Sequence, residues 1–170
     1  KGTNSNEMIN CEYKIIPDRI EAGTFLIACA ATGGCIRLNN INLDHISLII
    51  DKLINAGMDI EQSMNSIKIK SSGNVKSVNI KTDVYPGFPT DLQAQWMSLM
   101  CIADGQSIVE DTIYLDRFTH VSELNRLGAE IIMNNNQATV YGNKKLFGAT
   151  VMSTDIRASA SLIIAAMSSI

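Results

Sequence analysis

Arg19-Ile20-Glu21-Ala22-Gly23-Thr24-Phe25-Leu26-Ile27-Ala28-Cys29-Ala30-Ala31 is the stretch whose reading decides the fold. Its pattern, polar–aliphatic–polar–Ala and then an almost wholly apolar run, occurs twice more. Asp91-Leu92-Gln93-Ala94 leads into Gln95-Trp96-Met97-Ser98-Leu99-Met100-Cys101, and Asp155-Ile156-Arg157-Ala158 into Ser159-Ala160-Ser161-Leu162-Ile163-Ile164-Ala165-Ala166. A helix without a polar stripe must be surrounded by protein, so the three read as core helices. Gly33-Gly34 closes the first and Asp104-Gly105 the second, as glycine often does at helix C-termini.

The repetition extends outward from each helix. Cys35–Leu38 and Ser107–Glu110 are rich in β-branched residues and read as strands. An amphipathic helix follows each. Ile46, Ile49, Ile50, Leu53 and Ile54 form the apolar face of one, ended by Gly57; Val121, Leu124 and Leu127 form that of the other, ended by Gly128. Two short strands complete each unit, near Met58–Glu61 and Ser66–Lys70, then near Ala129–Met133 and Ala138–Tyr141. Asn65 and Asn134-Asn135-Asn136 supply the turns. The unit is strand, buried helix, strand, surface helix, strand, strand, giving an α/β (α+β) chain with two units and part of a third. The apolar, helix-like finish from Ser159 to Ile170 has neither cap nor polar tail, so a longer parent is expected. Residues 1–12 read as a polar lead-in and 13–170 as one domain.

Composition limits the chemistry. Of 170 residues 46% are apolar and only 18% charged, below the usual ~25%, so much of the chain is interior. Net charge is −3 and the longest basic run is Lys144-Lys145, which argues against a nucleic-acid partner. No apolar stretch reaches the ~18 residues of a membrane span. No basic-then-apolar leader opens the chain, and a soluble cytoplasmic protein is expected. Cys11, Cys29, Cys35 and Cys101 form no C-x-x-C pair, and with only His45 and His120 beside them no metal site is expected. Trp96, Met97, Met100, Met133, Met152 and Met167 read as core filler.

Four strings carry a resemblance. They are Ile16-Pro17-Asp18-Arg19-Ile20-Glu21-Ala22-Gly23-Thr24, Phe88-Pro89-Thr90-Asp91-Leu92-Gln93-Ala94-Gln95, Arg117-Phe118-Thr119-His120-Val121-Ser122-Glu123-Leu124 and Thr154-Asp155-Ile156-Arg157-Ala158-Ser159-Ala160-Ser161. In this order and spacing the chain resembles the enolpyruvyl transferase family, and within it the branch acting on UDP-N-acetylglucosamine in peptidoglycan synthesis. The resemblance implies an inside-out α/β barrel domain of repeated βαβαββ units, paired with a second similar domain across a substrate cleft. It implies enolpyruvyl transfer from phosphoenolpyruvate to the sugar 3-hydroxyl with release of phosphate, and no cofactor. The other domain, carrying a lysine and the general acid, would lie outside this chain, so the chain alone is expected to be inactive. An incomplete third unit would leave an apolar face through which two copies could pair.

Each site residue has two readings. From the residues alone, Thr90 and Gln93 make a capping box and Asp91 suits the helix dipole; the resemblance makes Asp91 the base for the sugar hydroxyl. Asp155 is a cap or, by resemblance, a stabiliser of positive charge beside the reacting carbon. Arg157 pairs with a surface carboxylate, or holds the anionic ligand region. Arg117 is a solvated loop arginine, or one that moves into the cleft when ligand binds. Ile113 is a strand residue, or a backbone contact to the sugar nucleotide. Asp18 and Arg19 stand at the corresponding turn of the first unit, where Asp18 and Glu21 form a local cap, and rank second. The competing readings are the related transferase of shikimate 3-phosphate and a non-catalytic packing or partner-binding module.

Overall fold

The computed structural model describes residues 10–142, 145–153 and 155–169. The first nine residues of the lead-in, Lys144, Thr154 and Ile170 lie outside the described residues. Among the described residues five α-helices and seven strands run in the order α1 (Arg19–Thr32), β1 (Gly34–Asn39), α2 (Ser47–Asn55), β2 (Asp59–Ser63), β3 (Ser66–Ser71), β4 (Ile80–Lys81), α3 (Gln93–Cys101), β5 (Gln106–Glu110), α4 (His120–Arg126), β6 (Glu130–Asn134), β7 (Gln137–Tyr141) and α5 (Ile156–Met167). Short 3₁₀ turns, Leu43–Ile46 and Thr90–Leu92, lead into α2 and α3.

Two sheets result, ordered β1-β3-β2 and β4-β5-β7-β6, and they do not close into a barrel among the described residues. All pairs are antiparallel except β4–β5, which is parallel. In the first, Ile69 of β3 stands opposite Ile36 of β1 and Ile60 of β2. Ile67 and Ile69 are buried while the alternate residue Lys70 is exposed, the two-residue period of a half-buried sheet. In the second, Ala138 of β7 stands opposite Val109 of β5 and Met133 of β6. The β6–β7 hairpin turns at Asn135, whose φ of 53° suits asparagine.

The helices that open the repeats lie together on the inner side of these sheets. α3 packs on α1 and α5, α1 also on β3, and α3 also on β5 and β7. All nine residues of α3 are buried. Trp96, Met97 and Leu99 are fully enclosed, and burying such side chains contributes about 1.5–3 kcal/mol each. Polar atoms carried inward find partners across helices: Ser98 Oγ donates to the Ser161 carbonyl at 2.8 Å, and Gln95 Nε2 to Thr24 Oγ1 at 3.2 Å.

Several expectations need correction. Only α3 is enclosed on every side. Phe25 of α1 and Ile163 of α5 are exposed, although each of these helices packs on α3 and on the other. Ile54 lies outside the buried face of α2. Met133, Met152 and Met167 are not core filler, since they sit at a sheet edge, in a loop and near the end of α5. The opening strand of each unit is reduced to the two-residue β4 in the second unit. Residues 10–18 form no strand, and Tyr13, Ile15 and Ile16 stand in solvent. α3 ends at Cys101, ahead of Asp104-Gly105, because Asp104 bonds through its backbone to Val75 and Ser77. Gly128 does close its segment. Its φ is +92°, and a Cβ there would come within 2.8 Å of the Phe147 ring.

No described helix is long and apolar enough to cross a membrane. Among the described residues no cluster of three His, Cys, Asp or Glu side chains could hold a metal ion.

Candidate active site

The starts of α1, α3 and α5 converge on one hollow of about 430 Å³. It is bordered by Asp18, Glu21 and Thr24 from the first, Asp91 and Gln95 from the second, and Arg157 and Ala160 from the third. Gly23 permits this convergence: a Cβ there would overlap Leu92 Cδ1, in the turn that carries Asp91. An open cavity lined by apolar surface with a few convergent polar groups is the usual form of a small-molecule site.

Two of the three starts are built alike. Asp18 caps α1, its Oδ1 accepting from the amides of Ile20 (2.7 Å) and Glu21 (3.2 Å). Asp155 caps α5, its Oδ1 accepting from Arg157 (2.8 Å) and Ala158 (3.1 Å). The Ala158 amide above all, then the Arg157 amide and guanidinium, hold the Asp155 carboxyl below the usual carboxylate range, while burial opposes the shift.

α3 is different. No side chain caps it or the 3₁₀ turn before it. The capping box expected of Thr90 and Gln93 is absent, because the 3₁₀ start takes Thr90 out of the N-cap position. Thr90 Oγ1 instead donates to Asp111 Oδ2 at 2.6 Å, and the buried Gln93 amide has no hydrogen-bond partner among the described residues. Asp91 turns to two cations: Oδ1 accepts from Arg117 Nη1 at 3.1 Å and from Arg157 Nη1 at 3.0 Å. Both arginines hold the same oxygen, so among the described residues Asp91 Oδ2 carries no hydrogen bond.

Arg157 also approaches Asp155, Nε to Oδ1 at 3.5 Å, an ion pair without hydrogen-bond geometry. Its partners are thus Asp91, which borders the hollow, and Asp155, both partly exposed carboxylates. Arg117 is not a solvated loop residue. Its side chain is 18% exposed, and the guanidinium lies over the Tyr114 ring, 3.7 Å from the centroid, as well as on Asp91 and Thr90. Asp91, Arg117, Asp155 and Arg157 thus form one continuous charged cluster. Asp18 borders the same hollow. Arg19 turns elsewhere, over the Tyr85 ring at 4.9 Å. Ile113 lies beyond the end of β5, in the loop leading to Arg117, and its amide donates to Asp111 Oδ1 at 2.9 Å.

Three contributors escape a reading of the sequence. Asp111 is fully buried and collects donors from three segments; Tyr114 and Tyr85 provide faces for arginines. An acidic residue ending a β-branched run is a weak signal, and nothing in a linear pattern joins it to Thr82 or Thr90. His120 is buried at the start of α4, and desolvation lowers its pKa to about 4 despite the opposing charge of Asp155.

The sequence profile described as EPSP synthase (3-phosphoshikimate 1-carboxyvinyltransferase) matches residues 1–169. Among curated proteins, a UDP-N-acetylglucosamine 1-carboxyvinyltransferase of Geotalea daltonii is 54% identical over 157 residues, covering 92% of this chain and 38% of its own length. One of Orientia tsutsugamushi is 50% identical over 165 residues, covering 96% and 39%. Among solved structures, the enolpyruvyl transferase NikO of Streptomyces tendae superposes with a TM-score of 0.79 at 20% identity, over 91% of this chain and 37% of that one. EPSP synthase of Acinetobacter baumannii superposes at 0.70 with 11% identity, over 90% and 37%. The structural likenesses speak for the fold. The chain spans about two fifths of the length of the curated relatives it matches.

Proposed function

The chain belongs to the EPSP synthase family of enolpyruvyl transferases, and on that premise we propose that it carries part of the active site for enolpyruvyl transfer from phosphoenolpyruvate to the 3-hydroxyl of UDP-N-acetylglucosamine, with release of phosphate. The proposal rests on the Asp91 carboxylate, held through one oxygen by two arginines at the mouth of the hollow. Residues 13–170 form one domain in this reading. A further domain of the same protein supplies the opposite wall of the cleft and the general acid, and the isolated chain does not turn over.

Asp91 takes the proton of the acceptor hydroxyl. A base must be fixed within hydrogen-bond reach of the proton it removes, and among the described residues nothing bonds Oδ2. Arg117 and Arg157 bind the phosphate and carboxylate of the substrates, since a guanidinium fork suits bidentate capture of such anions. Their withdrawal toward ligand would release Asp91 Oδ1 at the same time. Asp155 faces the positive charge that develops on the central carbon of phosphoenolpyruvate, stabilisation of a kind that commonly dominates catalysis. The Ile113 backbone contacts the sugar nucleotide. Asp18 borders the acceptor side, and Arg19 takes the weakest part because Tyr85 already occupies it. The exposed Ile156, Ile163 and Met167 of α5 form the face through which two copies would associate. A monomer in sedimentation equilibrium would remove that last element.

Shikimate 3-phosphate is the rival acceptor, favoured by the name of the matching profile. Two relatives at half identity or better favour the sugar nucleotide. The non-catalytic module needs Asp91 to be a cap, a role it does not perform here. Phosphate release by the complete gene product, with phosphoenolpyruvate and each acceptor in turn, decides. Turnover with the sugar nucleotide supports the proposal; turnover with shikimate 3-phosphate alone, or with neither, defeats it.

A further inference from the structure

We infer that Asp111 is the positioning residue of this site, setting both the orientation of Arg117 against Asp91 and the course of the Ile113–Arg117 loop. The inference builds on the function proposed above. Asp111 lies immediately after β5, fully buried, with a carboxylate that receives four hydrogen bonds. Oδ1 accepts from Thr82 Oγ1 at 2.8 Å and from the amides of Ile113 and Tyr114, each at 2.9 Å; Oδ2 accepts from Thr90 Oγ1 at 2.6 Å. Three donors crowd Oδ1 and one meets Oδ2, so the carboxylate is held through both oxygens. Its backbone is also tied down: its amide donates to the Asn136 carbonyl, and Asn136 Nδ2 donates to the Asp111 carbonyl.

These four bonds reach three segments that carry the site. Thr82 follows β4, Thr90 belongs to the turn that presents Asp91, and Ile113 and Tyr114 open the loop to Arg117. Ile113, Tyr114 and Leu115 are all exposed, and besides Asp111 the loop is held by Thr112 on Thr82 and by Tyr114 against Arg117. Between Asp111 and the charged cluster stands a single hydroxyl. Thr90 Oγ1 has one hydrogen, which it gives to Asp111, so its lone pairs are left for Arg117 Nη1 at 3.1 Å. The same Nη1 reaches Asp91 Oδ1. Asp111 thereby fixes the polarity of Thr90, and Thr90 fixes the arginine.

This relay separates two variants that size alone would not. Asp111→Asn can keep an oxygen toward Thr82, Ile113 and Tyr114, which are all donors, only by turning its amide toward Thr90. Thr90 Oγ1 must then accept from both that amide and Arg117 Nη1 while its hydrogen loses its acceptor, and the seat of the arginine is weakened. The loop stays in place. Asp111→Ala frees both the arginine and the loop.

The test uses the complete gene product. D111N and T90V should each lower kcat about 10- to 100-fold, the scale on which small misplacements act, with the KM for the sugar nucleotide within about threefold of the parent value. D111A should change kcat and KM together. T90S, which keeps the hydroxyl, should restore kcat to within about threefold. If D111N and T90V merely melt earlier, with kcat per folded molecule unchanged, Asp111 is structural only and the inference fails. Should the unaltered gene product release no phosphate with either acceptor, the functional reading falls, and crystal structures judge the placement separately. Arg117 moved beyond hydrogen-bond reach of Asp91 in D111N or T90V sustains it, and an unmoved Arg117 in both overturns it.

Discussion

Three helices start at equivalent turns around one hollow, yet the carboxylate at each turn is used differently. Asp18 and Asp155 accept the amides that open α1 and α5. Asp91, at the corresponding place before α3, accepts nothing from its own backbone and holds two arginines. The difference begins with the 3₁₀ turn Thr90–Leu92, which brings Asp91 to the rim instead of over the helix axis. It is maintained by Asp111, which engages Thr90. A repeat makes equivalent positions, and a buried residue elsewhere in one unit can release one of them from its structural duty.

The strongest way to break this comparison is Asp91→Asn. Turnover of the complete gene product should fall by about 10³-fold, the size expected when a general base is lost. Its stability should move by about 1 kcal/mol or less, because Asp91 is half exposed and solvent screens its partly buried ion pairs. Calorimetry and phosphate release together would show it, and retained turnover with a clear loss of stability would make Asp91 a cap after all.

Acid should sharpen the contrast between the two ends of the cluster. His120 lies near Asp155, is kept neutral by burial, and has its pKa lowered to about 4 from 6.5. The unfolded chain binds a proton below about pH 6.5 that the folded chain refuses until about pH 4. This contribution is complete above pH 6.5 and is lost as pH falls toward 4, about 3 kcal/mol in all. Urea midpoints measured across that range should fall steeply, and H120F should flatten the dependence. The lowered pKa of Asp155 acts in the same sense further down, below the ordinary carboxylate range.

Smaller effects belong to the caps. Asp18→Ala and Asp155→Ala should each cost about 1 kcal/mol, as removal of an N-cap typically does, while Asp91→Ala costs less than either. Chemical denaturation of the three variants ranks them. Equal losses at all three turns would erase the distinction between the helix starts.

Much of the fold is visible in the chain itself. The bounds of α1 follow from Asp18 before it and Gly33 after it, and the buried sides of β3 and α4 follow from alternation and helical period. The site is visible in part. Asp91, Arg117, Asp155 and Arg157 can be named from the four strings, whereas their contacts cannot. The capping box at Thr90 fits the spacing and is still absent, since the 3₁₀ start places Pro89 and not Thr90 at the N-cap. Asp111 itself gives no signal because its donors come from Thr82, Thr90, Ile113 and Tyr114, which only the packed β4–β5 pair and the α3 turn bring together.

What the sequence determined by itself is the periodic part: the three repeated helices, the strand alternation and the turn residues, all of which depend on neighbours within a few positions. Tertiary structure alone decided that Asp91 faces two arginines while its counterparts serve their own amides. Hydrogen-bond donors choose among acceptors by distance in space, and α3 meets Arg117 and Arg157 only after the helices have packed.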